Sequence, residues 1–252
     1  MKKLFTTAAA FAVMAGAAQA EGKLSVYHWF EYIPQELVDK FTAETGIAVT
    51  IDTYDSNESM LASLKAGKLG QYDVAVPGDY MVQIMGAEGL LDTFTPEELP
   101  NFGNIDPKWI DVPFDQGRKS SIPYQWGTTA FSVNRDVYKG DINTSAVWLE
   151  VPDELKGKIN VVPEMNDIVS LATMYYGGQP CSEDLEVLKK VRDGLLAAKP
   201  NWISMDYGAT EKLSNNDWAA SVNWNGSTMR IRLANPDVVF GYPKEGYPLF
   251  MD

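Results

Sequence analysis

Aromatic rings and carboxylates recur together where predicted strands end. Trp29, Glu31 and Tyr32 follow a short alternating run that predicts a first strand, and Tyr80 follows another strand in the same relative position. Open α/β sheets bind their ligands at the carboxyl ends of strands. Taken alone, residues 28–32 would equally suit a packed core with a solvated acid. The pattern therefore needs support from elsewhere in the chain.

A second group of similar composition lies in the other half of the chain. Glu164 and Asp167 are three residues apart at the start of a predicted helix, so both carboxylates can face the same way. Backbone N–H groups at a helix start favour ionised acids, which is the form that binds a cation, although acids are common at helix starts for structural reasons alone. Trp224 ends a later predicted strand.

This combination of acids and rings points to amines. A carboxylate pairs with an ammonium group, and each cation–π contact with Trp or Tyr contributes about 0.5–2 kcal/mol, the larger value applying when it is desolvated. Methylene chains between ammonium groups pack on the same ring faces. Acids at both ends of an aromatic trough would therefore select a linear diamine or polyamine over a monoamine.

The order of elements predicts an α/β fold with two lobes. Strand and helix signals alternate through residues 24–85, which predicts a parallel sheet covered by helices. An irregular stretch at residues 92–118 separates this part from a second series of strands and helices. We expect the first lobe at residues 21–127 and the second at 128–241, with residues 242–252 beginning a return to the first.

Local signals predict where the early helices begin and end. Gly46 predicts a left-handed end for a helix whose apolar face includes Leu37 and Phe41. Asp55 with Glu58 resembles a capping box that opens the next helix.

Residues 1–20 have the composition of an export signal. Two lysines precede an apolar run at residues 4–18 that is too short and too rich in alanine for a membrane span. Small residues at positions 18 and 20 suit cleavage after Ala20. We therefore expect a soluble periplasmic protein that does not insert into the membrane and is a monomer.

Charge and composition exclude several classes of function. The net charge of −13 becomes more negative by two charges once the signal is removed, which disfavours nucleic acid and anionic membranes as partners. The single histidine, His28, excludes a metal site built from several histidines, and the single cysteine, Cys181, excludes an internal disulfide. A Ser–His or Cys–His catalytic set would have to use His28, and the chain has no Gly-x-Ser-x-Gly elbow or phosphate loop. We expect no cofactor and no metal.

Six motifs, in order along nearly the whole chain, resemble the spermidine/putrescine-binding proteins of polyamine ABC transporters, which are type II periplasmic solute-binding proteins. The resemblance implies two lobes, each a mainly parallel sheet flanked by helices, that close over a polyamine and deliver it to an inner-membrane ABC permease. The motifs are Trp29-Phe30-Glu31-Tyr32-Ile33-Pro34, Tyr54-Asp55-Ser56-Asn57-Glu58, Tyr72-Asp73-Val74-Ala75-Val76-Pro77, Ser121-Ile122-Pro123-Tyr124-Gln125-Trp126-Gly127, Trp224-Asn225-Gly226-Ser227 and Tyr242-Pro243-Lys244-Glu245-Gly246.

By matching position, the resemblance also implies which residues bind the ligand. Phe30 stands where a small hydroxyl residue is usual in the family and Gly78 where a serine is usual, so the resemblance implies no side-chain polar contact at these two positions. Phe250 resembles putrescine-type members and residues 224–227 resemble spermidine-type members, so the preferred amine stays open. The implied ligand-binding residues are Trp29, Glu31, Tyr32 and Tyr80 from the first lobe, Glu164, Asp167 and Trp224 from the second, and Phe250 and Asp252 near the end of the chain.

The family pattern continues beyond the position of Asp252 with a segment that completes the first lobe, so we expect a C-terminally truncated protein. Two alternatives to polyamine binding remain. An exported glycosidase could use Glu31 and Asp167 as acid and base, with rings stacking on sugar. A relative of the same fold could bind another small solute such as a sugar, whereas iron is disfavoured by the lone histidine.

Overall fold

A computed structural model of the protein describes residues 22–252. The predicted export signal and its cleavage site after Ala20 lie outside the described residues. Two separate larger sheets organise the described part of the chain, which confirms the predicted two-lobed α/β fold. None of the helices in residues 22–252 combines the length and the apolar composition that crossing a membrane requires.

Strands and helices alternate through most of the described chain. The strands are β1 (Gly22–Trp29), β2 (Ile47–Tyr54), β3 (Val74–Ala75), β4 (Asp111–Val112), β5 (Asp115–Gln116), β6 (Trp126–Asn134), β7 (Ile159–Val161), β8 (Trp202–Ser204), β9 (Ala220–Trp224), β10 (Val238–Gly241) and β11 (Leu249–Met251). The α-helices are α1 (Gln35–Thr45), α2 (Asn57–Ser63), α3 (Asp79–Ala87), α4 (Ala146–Leu149), α5 (Met165–Tyr175), α6 (Leu185–Ala198), α7 (Ala209–Ser214) and α8 (Asn225–Ala234).

The first sheet is parallel, with strand order β2-β1-β3. The register pairs Trp29 with Tyr54, so two aromatic residues lie side by side where β1 and β2 end. Tyr27, Met60 and Met81 are buried beneath this edge and hold the covering helices α2 and α3 against the sheet. The carboxyl edge of the first sheet therefore carries Trp29, with Glu31 and Tyr32 in the loop that follows β1 and Tyr80 at the start of α3.

The second sheet is mixed, with strand order β10-β6-β9-β7-β8, and β11 pairs with the start of β6. β7 runs parallel to β8 and β9, whereas β6 runs antiparallel to β9, β10 and β11. The implied mainly parallel sheet is therefore found in the first lobe and not in the second. The physical reason is strand direction: β9 and β10, which are joined by the helix α8, flank β6 and both run opposite to it, and β11 also runs opposite to the start of β6.

The end of α1 and the start of α2 can be compared with the boundaries that the sequence predicted. Gly46 adopts a left-handed conformation, φ 74°, and its N–H donates to the Thr42 carbonyl at 2.8 Å, which confirms the predicted end of α1. The predicted capping box is wrong by one position, because Ser56 caps α2 in an exchange of hydrogen bonds with Ser59. The Asp55 side chain is therefore not used as a cap.

The predicted apolar face of α1 is only partly buried. Val38 is buried, but Leu37 and Phe41 are exposed. Their spacing predicted the helix correctly, since amphipathic spacing sets the helix and not the depth of its packing.

Gly241 lies where the second lobe leaves no room for a side chain. A Cβ there would lie 2.1 Å from the backbone oxygen of Ile142 and 2.7 Å from the buried ring of Phe131. We expect Gly241→Ala to lower the free energy of unfolding by about 1–3 kcal/mol, because overpacking displaces backbone and ring. Urea denaturation followed by circular dichroism measures the change.

Gly86→Ala is the matched control, since a Cβ at this position in α3 meets nothing within 4 Å. This variant should gain about 0.5–1 kcal/mol from reduced backbone entropy in the unfolded chain. Equal unfolding free energies for the two variants would contradict the close packing at Gly241.

Candidate functional site

A cleft of about 870 Å³ lies between the two sheets. Its walls come from the carboxyl ends of the first sheet on one side and from the starts of α5 and α8 on the other. The structure brings together all nine residues that the sequence singled out; their role in binding stays a prediction. The nine that line this cleft are Trp29, Glu31, Tyr32, Tyr80, Glu164, Asp167, Trp224, Phe250 and Asp252.

The first-lobe wall is mainly aromatic. The Trp29 ring packs on Tyr54, with ring centroids 4.6 Å apart. The Tyr32 hydroxyl donates to the Asp252 carboxylate, so the loop after β1 is tied to the end of β11. Tyr80, in the first turn of α3, donates from its hydroxyl to Glu58 at 2.9 Å. These contacts leave ring faces and carboxylates directed along one wall.

The second-lobe wall is built around Asp167. This residue lies in the first turn of α5 and is only 7% exposed. Its Oδ2 accepts hydrogen bonds from Thr129 Oγ1 at 2.8 Å and from Trp224 Nε1 at 3.0 Å. The carboxylate therefore fixes the indole of Trp224 at the end of β9 and joins α5 to β6.

Glu164 lies next to Asp167 as the residue that precedes α5, and it is 5% exposed. Its Oε1 accepts a hydrogen bond from the Tyr207 hydroxyl at 2.5 Å. The Tyr207 ring is stacked against Trp224, at an interplanar angle of 22° and a centroid separation of 6.2 Å. Each of the two acids therefore accepts a hydrogen bond from one ring of this stacked pair.

The last strand closes one end of the cleft. β11 pairs Phe250 with Gly127, and a Cβ on Gly127 would lie 2.6 Å from the Phe250 ring. The absence of a side chain at Gly127 is what lets the ring lie against β6. The backbone N–H of Asp252 donates to the Gln125 carbonyl at 2.9 Å, which holds the Asp252 carboxylate beside Tyr32.

Burial governs the electrostatics of the site. It raises the pKa of Glu164 to about 8, that of Asp252 to about 7 and that of Asp167 to about 6. Each acid also accepts hydrogen bonds, which lower its pKa by less than burial raises it. The donors are Tyr207 for Glu164, Tyr32 for Asp252, and Thr129 and Trp224 for Asp167.

The expectation that the start of α5 keeps its acids ionised is therefore wrong for Glu164 at neutral pH, whereas Asp167, with a pKa of about 6, is mostly ionised there. Glu164 makes no capping hydrogen bond with its side chain, so the helix start does not offset the loss of hydration. A cationic group placed against these acids would favour their ionised forms and release protons. The arrangement suits binding of a cation with an apolar body.

Glu31 differs from the other acids. Its side chain is exposed, and its backbone has φ 54°, in the left-handed region.

No cluster of three or more His, Cys, Asp or Glu within residues 22–252 could hold a metal ion.

Sequence patterns missed several residues of the cleft. Tyr54 and Asp55 form the same pairing of ring and acid at a strand end, so the signal used for Trp29 could have found them. Tyr207 follows β8, a strand that the sequence did not reveal, and therefore carried no signal. Arg230 lines the cleft because the fold brings α8 there, and no local sequence pattern indicated it.

Comparison with known proteins shows the same fold and the same family. The chain is 34% identical over 238 residues to spermidine/putrescine-binding periplasmic protein 1 of Haemophilus influenzae, covering 93% of this chain and 66% of that protein. It is 34% identical over 249 residues to the spermidine/putrescine-binding periplasmic protein of Escherichia coli, covering 97% of this chain and 70% of that protein. The chain thus spans about two thirds of the length of these relatives.

A solved structure of a Listeria monocytogenes protein superposes with a TM-score of 0.85 at 29% identity, over 92% of this chain and 71% of that one. Residues 36–252 match the family described as bacterial extracellular solute-binding protein. The relatives are solute-binding transport proteins, in agreement with a cleft between two lobes. The chain belongs to the bacterial extracellular solute-binding proteins.

Proposed function

We propose that this protein captures putrescine or spermidine in the cleft and delivers it to an ABC permease of the inner membrane. The observation that carries the proposal is the convergence of Glu164, Asp167 and Asp252 with the rings of Trp29 and Trp224 in one cavity. The names of the Haemophilus influenzae and Escherichia coli relatives support the ligand class and a periplasmic location.

In this proposal, ammonium groups lie against the buried acids, and the methylene chain packs on the rings. A cation–π contact in such a desolvated site contributes about 2 kcal/mol. The cation also reverses the rise in pKa that burial imposes, so the acids ionise as the amine binds. A neutral sugar would not change their ionisation in this way.

The remaining assignments belong to the same proposal. Residues 21–127 form the first lobe and residues 128–241 the second, with residues 242–252 returning toward the first. The chain is exported, is cleaved after Ala20 and acts in the periplasm as a monomer without catalysis. The nine residues that line the cleft and match the family pattern bind the ligand.

Asp167→Asn tests the central acid. The amide keeps the size of the side chain and an oxygen that can accept from Trp224, but it removes the charge that pairs with an ammonium group. We expect putrescine binding to weaken by about 2–5 kcal/mol, which is about thirtyfold to several thousandfold in Kd. Isothermal titration calorimetry with putrescine and with spermidine measures the loss.

Asp193→Asn provides the control for the same chemical change. Asp193 lies on the exposed surface of α6, pairs with Arg192 and does not line the cleft. Its replacement should leave the affinity within about twofold, because exposed ion pairs contribute little. Wild-type affinity of Asp167→Asn for both amines would remove Asp167 from the binding site.

The raised pKa values also predict how affinity depends on pH. Glu164 and Asp252 have pKa values of about 8 and about 7, so they hold protons at pH 7 that an amine must displace, whereas Asp167, with a pKa of about 6, is mostly ionised at this pH. We expect binding to release about one to two protons at pH 7 and to tighten by about tenfold or more per pH unit near that pH. Titrations in buffers of different ionisation enthalpy count the protons, and proton uptake, or affinity that is constant from pH 6 to pH 8, would contradict the charge pairing.

The stability of the free protein should change in the opposite sense. A carboxyl whose pKa is higher in the fold than in the unfolded chain holds protons more tightly when folded. The resulting stability is complete below the unfolded pKa, close to 4, and is lost as the pH rises through about 6 to 8. We expect the Tm of the free protein to fall between pH 6.5 and pH 8.5, as measured by calorimetry.

The range from pH 6.5 to pH 8.5 excludes the contribution of His28 to the pH dependence of stability. Burial lowers the pKa of His28 from 6.5, so the stability linked to it rises with pH only below about 6.5. Glu164→Gln is the informative variant, since it should flatten the fall in Tm above pH 7. A Tm that rises with pH across the window in the wild-type protein would show that these acids are not raised in the fold.

A further inference from the structure

Arg230 places a fixed positive charge at an acid-lined cleft. Among the described residues that line the cleft, it is the only Lys, Arg or His. It lies on α8, whose first residue follows Trp224 directly. Its side chain therefore extends from the second-lobe wall, close to the proposed ligand site.

The guanidinium group connects the two lobes. Nη1 of Arg230 donates to the backbone oxygen of Glu31 at 3.1 Å, in the loop that follows β1 of the first sheet. Nη2 lies 3.5 Å from Ser227 Oγ, one turn earlier on α8. Residue 31 follows β1 of the first sheet, and residue 230 lies on α8, which follows β9 of the second sheet. This hydrogen bond therefore joins one side of the cleft to the other.

The acceptor is held in an unusual conformation. Glu31 has φ 54°, a backbone conformation that costs energy for a residue other than glycine. Such conformations persist where the surrounding structure requires them, and they cluster at binding and switch segments. Because the acceptor is a carbonyl, the interaction does not depend on the ionisation of the Glu31 side chain.

Electrostatics alone gives no reason for an arginine at this place. A guanidinium group repels a cationic ligand, and within residues 22–252 Arg230 makes no ion pair with Asp or Glu that would cancel its charge. Its one well-formed contact beyond its own helix is the hydrogen bond to the opposite lobe. The unfavourable repulsion is offset if this bond serves closure of the cleft.

We propose that Arg230 is an interlobe latch, a positioning residue that holds the cleft closed and slows the escape of a bound cation. The ligand part of this inference rests on the proposed polyamine function. The bond forms when the lobes are closed and must break before a bound amine leaves, so it lowers the dissociation rate constant; closure before binding and repulsion by the guanidinium group act only to reduce the association rate constant.

Stopped-flow measurement of tryptophan fluorescence with putrescine and with spermidine tests the latch. Arg230→Ala should raise the dissociation rate constant by about threefold to tenfold, the effect of losing one hydrogen bond of ordinary net strength, since this bond is exposed to solvent. Arg230→Lys, which keeps the charge and a donor, should recover part of the loss. The association rate constant of Arg230→Ala should not fall.

Arg232→Ala is the matched control. Arg232 lies on the same helix, is exposed, and makes no hydrogen bond or ion pair to a side chain within the part of the chain that the structure describes. Its replacement removes the same charge without touching the latch. If Arg230 acts only through its charge, Arg230→Ala binds either amine more tightly than the wild type; that result, or equal dissociation rates for the Arg230 and Arg232 variants, overturns the proposal.

A measurement without ligand separates the latch from the proposed function. The hydrogen bond joins the lobes through protein atoms alone, so without amine Arg230→Ala should open the two lobes and increase the radius of gyration measured by small-angle X-ray scattering. Arg232→Ala should match the wild type. If no amine binds, the proposed function fails while scattering still decides the latch, and an unchanged radius of gyration for Arg230→Ala rejects it.

Discussion

The hydrogen bonds that Asp167 accepts from Thr129 and Trp224 hold the site together. One buried carboxylate joins the start of α5, the strand β6 and the end of β9, and it sets the orientation of the indole that lines the cleft. Satisfying the carboxylate in this way is what allows it to be buried at all, since an unpaired charge in such a place would be strongly destabilising. The remaining parts of the second-lobe wall are arranged around this contact.

Hydrogen bonds to the buried acids lower their pKa values by less than burial raises them. The pKa values of Glu164 and Asp252 rise to about 8 and about 7, so these two acids hold protons near neutral pH. In the proposed function, a bound ammonium group would replace those protons. Protonation spares the fold the cost of several buried negative charges.

The two lobes contribute different parts to this site because their sheets differ. The parallel first sheet brings the ends of β1 and β2 together and supplies adjacent aromatic rings. In the second lobe, Glu164 and Asp167 lie at the start of α5, which follows β7 of the mixed sheet. β11 pairs with β6 of the same sheet, and this pairing places Asp252 against Tyr32. Contact between the lobes then depends on residues far apart in sequence, including Arg230 and Glu31.

Local patterns in the sequence were enough to predict the two-lobed α/β fold, the end of α1 at Gly46 and seven of the nine candidate residues that line the cleft, whereas Phe250 and Asp252 came from the family resemblance. Hydrophobic period, turn residues and strand-end chemistry are local properties, and the family motifs carried the rest. The ionisation of Glu164, the role of Ser56 as the cap of α2, the mixed second sheet and the contact of Arg230 with Glu31 came from the three-dimensional structure. These features depend on burial depth, strand direction and proximity across the cleft, which are set by packing between distant segments and leave no mark on neighbouring residues.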